Sequence, residues 1–145
     1  MINFKLDIEL YNEIKEFTIL QYTDVLSDDI KKLIHFFNEE YTWDGMFTFD
    51  DVQRRINNGH YLFILYYGHN AIGYVFYEPK ENNEFHLYNL YVTNCYDRPN
   101  YSPQWFVNKT IGLLPTPISK ISCMCEDWHI SAHDVFKTNG FIQYE

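Results

Sequence analysis

Apolar positions along the chain change period several times, and each change marks an element. Near the start, Phe4, Leu6, Ile8 and Leu10 alternate as a strand would, while Ile8, Tyr11 and Ile14 keep helical spacing. Met1 to Phe17 therefore reads as an extended start followed by irregular or short helical structure. The β-branched and aromatic run from Phe17 to Tyr22 predicts a strand. Ser27 then offers an N-cap hydroxyl, with Asp28 and Asp29 in the first turn where the helix dipole favours negative charge. Ile30, Leu33, Ile34, Phe37 and Tyr41 follow as one apolar stripe, so this segment is an amphipathic helix. Thr48, with Asp51 three positions on, is a variant capping box opening a short helix that stops near Asn57-Asn58-Gly59.

Beyond Gly59 the pattern turns to strands. Tyr61 to Tyr67 is continuously apolar, Gly68-His69-Asn70 is a turn, and Ala71 to Tyr77 is a second β-rich run. A turn over Pro79 to Asn83 leads into a third strand, Glu84 to Thr93, and three consecutive antiparallel strands are the economical arrangement. Ser102 and Pro103 look like an N-cap and a first-position proline, opening a helix that runs to about Leu113, ahead of Pro115 and Pro117. A strand from Ser119 to Cys125, a helix from His129 to Asn139 and a last short strand from Phe141 to Tyr144 complete the order. The result is a mixed α/β (α+β) domain, and with no repeat or linker, residues 1–145 are expected to form a single unit.

Composition narrows the function. Of 145 residues, 46% are hydrophobic and 19% aromatic, enough to fill a core. No stretch reaches the roughly 18 apolar residues of a membrane span, and Lys5, Asp7 and Glu9 interrupt any signal-peptide core, so a cytoplasmic protein with no membrane partner is expected. Three cysteines give no disulfide framework and suit a reducing compartment. The net charge of −9, without a run of Lys and Arg, repels phosphate backbones and excludes nucleic acid as the expected partner, while amines are electrostatically welcome.

Two local patterns carry a family resemblance. Leu90-Tyr91-Val92-Thr93-Asn94-Cys95-Tyr96 looks like the end of a fourth strand running toward a helix, and His129, Ala132, Phe136, Gly140 and Phe141 are similar to a closing Asn-x-x-Ala…Tyr-x-x-x-Gly-Phe signature. Together with the element order, from Phe17 to Tyr144, they resemble the GCN5-related N-acetyltransferase fold. The resemblance implies acetyl-CoA as co-substrate and transfer of its acetyl group to an amine of a small molecule or protein. It implies that the Val92 N–H polarises the thioester carbonyl, that Leu90, Tyr91 and Val92 line the pantetheine arm, and that two neighbouring strands diverge to admit it. The pyrophosphate loop would be Asp97-Arg98-Pro99-Asn100-Tyr101-Ser102, with Arg98, Asn100, Tyr101 and Ser102 at the coenzyme. It departs from the family pattern: Asp97 is acidic, Pro99 lacks a donor, and Asn100 stands for a glycine as the residue that best tolerates a left-handed backbone. His129 replaces an asparagine, and Phe136 stands where a tyrosine often protonates the leaving thiolate.

By period-2 alternation His86, Tyr88 and Leu90 share one strand face, and His86 matches the place of a glutamate base in some members. An imidazole is suited to taking a proton from an ammonium, directly or through water, with Tyr88 assisting as donor. Structural readings stand beside these: His86 as a hydrogen-bonded strand histidine, Phe136 as core, Arg98 as a solvated loop residue. Cys123, Cys125, His129 and His133 form a set of soft or borderline ligands, but Cys-x-Cys is tighter than zinc spacing and the segment already reads as a strand, so no metal is expected. The competing function is a non-catalytic binding or assembly module that kept the architecture and lost the coenzyme loop. An edge strand or tyrosine-rich face leaves a homodimer open.

Overall fold

The computed structural model describes residues 1–41, 47–95, 98–124 and 130–144. Helix α1 (Ile8–Lys15), started by the Asp7 carboxylate accepting from Leu10 N–H, resolves the ambiguous amino-terminal segment as an extended lead and a short, exposed helix. Strand β1 (Phe17–Gln21) follows, then a 3₁₀ turn over Asp24–Leu26 and helix α2 (Ser27–Glu40). That turn places Leu26 at the cap and Ser27 inside the helix, so Ser27 is not the N-cap its hydroxyl suggests. Helix α3 (Phe49–Asn57) opens on the expected capping box, with Thr48 and Asp51 bonded reciprocally. Strands β2 (Tyr61–Tyr67), β3 (Asn70–Pro79) and β4 (Glu84–Val92) form the expected meander.

Helix α4 (Ser102–Ile111), strand β5 (Lys120–Cys123) and helix α5 (Ile130–Thr138) complete the chain. Ser102 is again a first-turn residue rather than the cap. The expected strand over Phe141 to Tyr144 is not formed. Gly140 at φ +88 ends α5, Phe141 N–H returns to the Phe136 carbonyl, and the remaining residues are mostly exposed. Among the described residues no helix is long and apolar enough to cross a membrane.

The five strands lie in the order β1-β2-β3-β4-β5, antiparallel except for the parallel pair β4/β5. A parallel pair needs a crossover, and α4 supplies it. Strict alternation along β2 divides the apolar residues between the two faces. Phe63 and Leu65 join Phe106, Val107 and Val135 under α4 and α5, while Leu62, Ile64 and Tyr66 join Ile30, Leu33 and Val52 under α2 and α3. Both faces are therefore covered, which is why Tyr61 to Tyr67 reads as a continuous apolar run. Polar fasteners set the helices: Tyr66 donates to Asp29 at 2.6 Å, and the buried Tyr77 and Thr110 hydroxyls meet at 2.6 Å.

Candidate functional site

The feature that opens the sheet is in β4. Tyr74 of β3 pairs with Tyr91 and Phe76 with Tyr88, so two residues, Asn89 and Leu90, face Val75 alone. Asn89 takes φ +48, a left-handed backbone that asparagine tolerates, and the extra residue makes a β-bulge. Parallel pairing with β5 runs from Glu84↔Lys120 to Leu87↔Cys123 and ends there. Tyr88 to Val92 continue with no β5 partner among the described residues, and the point just before the bulge where the described pairing stops is called the fork here. Thr93 N–H donates to the Ile72 carbonyl at 2.7 Å on the β3 side. Successive strand amides point to opposite edges, so the Val92 N–H points away from β3, to the edge that has no strand partner among the described residues.

The bulge also corrects the alternation read from sequence. Leu90 does not share a face with His86 and Tyr88: one extra residue swings it to the α4/α5 face, where Leu90 and Val92 pack beside Phe85 and Leu87. Tyr88 lies on the α2/α3 face. Tyr91 is buried there against Phe37, Tyr41 and Tyr74, which leaves its backbone rather than its ring for the open edge.

His86 sits within the paired part of the fork. Its Nδ1 and the Ser122 hydroxyl of β5 are 2.7 Å apart, and its ring meets that of Tyr88 at 4.4 Å. Burial lowers the imidazole's pKa and Lys80 adds to this, against the opposing pull of Glu78, which leaves it neutral at pH 7. His86 and Val92 are six positions apart, roughly 20 Å of extended strand. Tyr88, the first residue past the pairing, is nearer. Glu78 lies opposite His86 across β3/β4, with His60 Nε2 at 3.1 Å from its carboxylate and Lys80 paired to it as well. His60 stacks on Tyr88 at 6.1 Å. His60, Glu78 and Ser122 escaped sequence reasoning because only strand register brings them to His86.

The loop between β4 and α4 is bonded mainly to itself. Glu40, at the end of α2, accepts from the Thr93 hydroxyl at 2.9 Å and from Asn94 N–H at 3.1 Å, and Cys95 N–H turns to the Thr93 hydroxyl. Arg98 spreads its fork over the Thr93 carbonyl (2.7 Å), Ser102 Oγ (3.0 Å) and Asn94 Oδ1 (3.1 Å), so it is a loop clamp rather than a solvated residue. Ser102 gives its N–H to Pro99 and Pro103 has none. The Gln104 N–H, next in the first turn of α4, has no acceptor among the described residues. Tyr101 points away from the loop, its hydroxyl on Glu13 at 2.7 Å, and burial together with that carboxylate pushes its pKa up to about 12. Asn100 is exposed, and the left-handed residue of this region is Asn89 instead.

Phe136 is core, packed on Phe141 at 5.4 Å. His129 and Cys125 lie outside the described residues, and among those described no His, Cys, Asp and Glu cluster could hold a metal. A hollow of about 1000 Å³ opens between β5, α5 and the carboxy-terminal residues, with no β4 residue in its lining.

No family model matches the chain, and no curated protein matches it in sequence. Solved structures do. An aminoglycoside acetyltransferase from an uncultured soil metagenomic sample, in complex with sisomicin, superposes with a TM-score of 0.72 at 12% identity, over 91% of this chain and 92% of that one. A GNAT-family acetyltransferase from Bacillus cereus gives 0.69 at 19% identity, over 89% and 84% of the two chains, and one from Staphylococcus aureus 0.67 at 17%, over 89% and 86%. The chain has the GCN5-related N-acetyltransferase fold. In this GCN5-related fold the expected order of elements holds from β1 to α5, and the bulge, the fork and the Val92 N–H that points away from β3 lie together on β4.

Proposed function

We propose that this protein is an N-acyltransferase that moves an acetyl group from acetyl-CoA to an amine of a small molecule or protein. The observation that supports this most is the edge of β4 past Leu87, without a strand partner among the described residues, toward which the fixed N–H of Val92 points as a thioester carbonyl would require. Leu90 and Val92 supply apolar contact for the arm, and the Gln104 N–H at the start of α4 is the backbone donor left for an anion. The amine nitrogen attacks the thioester carbon, the C–S bond breaks, and the thiol sulfur takes a proton from solvent, because the Phe136 ring has none to give. Tyr88 is nearer to Val92 along β4, and the neutral His86 behind it receives the ammonium proton through a chain of waters.

One observation favours a second reading, a binding module without catalysis: the Glu40 and Arg98 contacts use most donors that a pyrophosphate would need. Coenzyme A separates the two. At ~100 times its Kd it should stabilise the fold by about 2.7 kcal/mol, a melting shift of several degrees. With binding established, His86→Gln and Tyr88→Phe should each slow transfer about a hundredfold. No shift with coenzyme A or acetyl-CoA at millimolar concentration would leave the module.

A further inference from the structure

The chain has three arginines, and two of them have polar partners. Arg54 pairs with Asp51 at 2.7 Å, and Arg98 holds three acceptors in its loop. Arg55, in the last turn of α3, is different. Its guanidinium lies among Phe47, Phe76 and Tyr88, with Cζ at 5.1, 4.8 and 5.8 Å from the ring centres. Among the described residues it has no carboxylate within ion-pair distance, and its Nη1 is shielded from water with no acceptor. The Tyr74 hydroxyl and His60 Nδ1 on the same sheet face are also buried and without hydrogen-bond partners among the described residues. Among the described residues, three polar atoms around one aromatic patch therefore lack hydrogen-bond partners, one of them on a permanent cation. Such groups are costly unless something meets them.

We infer that Arg55 receives the carboxylate of a ligand, and, on the acyl-transfer reading of the β4 fork, that the acceptor is an amine carrying a carboxylate, as an amino acid does. A planar guanidinium matches a carboxylate through two parallel hydrogen bonds, and the ring faces exclude the water that would weaken them. A single charge fits better than a phosphate dianion: burial lowers the pKa of His60, keeping it neutral, and Lys80 is already paired with Glu78. Tyr88 links this subsite to the fork, since its ring touches both the Arg55 guanidinium and the His86 imidazole. A ligand anchored at Arg55 thus extends past Tyr88 toward the proposed base. The net charge of −9 welcomes amines in general, and Arg55 adds the demand that the amine carry a carboxylate.

The test is calorimetric titration, without coenzyme, of free amino acids against their carboxamides, with spermidine and inorganic phosphate as comparison probes. The amino acids should bind at least about tenfold more tightly than the carboxamides, and Arg55→Gln should remove that difference. If the glutamine variant fails to fold, Arg55→Lys keeps the charge without the fork and should narrow the difference. Equal binding of acid and amide, tighter binding of phosphate or spermidine, or an unchanged preference in the folded variant would overturn the inference. The two readings fail separately. Carboxylate selectivity without acetyl transfer keeps the Arg55 subsite and removes the enzyme; transfer that is indifferent to both the carboxylate and Arg55→Gln does the reverse.

Discussion

Gly73 lies on β3 opposite Val92, with the backbone of β4 close beside it. A Cβ built there would sit 2.5 Å from the Tyr91 carbonyl oxygen, 3.1 Å from Val92 Cγ2 and 3.3 Å from Val92 Cα. The nearest atom is backbone, so no rotamer change relieves the clash. Its neighbours Ile72 and Tyr74 are fully buried on opposite faces, so β3 cannot shift toward either helix layer. Overpacking of this kind costs about 1–3 kcal/mol, and the lower chain entropy of alanine offsets only about 0.5–1 kcal/mol of that. Gly73→Ala should therefore lose about 2 kcal/mol, or roughly 4–8 °C of melting temperature in a chain of this size. Gly112→Ala is the control: that residue is helical, and its nearest contact is Lys109 O at an ordinary 3.4 Å. It should melt at or slightly above the parent. Urea titration followed by circular dichroism measures both. Equal stability of the two variants would refute the close approach, and with it the bulge register that turns Val92 N–H to the open edge.

The Glu40→Ala variant leaves Asn94 N–H and the Thr93 hydroxyl without their acceptor, and should destabilise by about 1–3 kcal/mol, whereas Glu40→Gln keeps an acceptor oxygen and should lose less; urea midpoints distinguish them. Thr48→Ala removes the capping box of α3 and should cost about 1 kcal/mol in the same assay. Burial is the leading cause of lowered pKa at both His60 and His86, so the unfolded chain binds more protons than the native one between their folded values and the usual 6.5. Stability should therefore rise with pH through that interval, giving a lower melting temperature at about pH 5.5 than at about pH 7.5. His60→Gln should flatten the profile, and a flat profile in the parent would contradict the burial assigned to both imidazoles.

Much of this was legible in one dimension. The capping box at Thr48, the stripe of α2 and the turn at Gly68-His69-Asn70 depend on neighbours within a few positions, so propensity and periodicity settle them. The resemblance at Leu90 to Tyr96 and His129 to Phe141 pointed to the fold that solved structures share. The caps at Ser27 and Ser102 were misread because a 3₁₀ turn and the Arg98 clamp determine where those helices begin, and both involve contacts that a capping motif does not encode.

Only tertiary structure decided the site. A bulge at Asn89 shifts every later side chain of β4 to the other face, and nothing in alternating polarity marks one extra residue between Tyr88 and Leu90. Register brings Ser122 and Glu78 to His86, and helix packing places Arg55 over Tyr88; both are set by burial summed over residues far apart in the chain. Local order follows from local chemistry, whereas the meeting of these polar groups follows from how two faces of one sheet are covered.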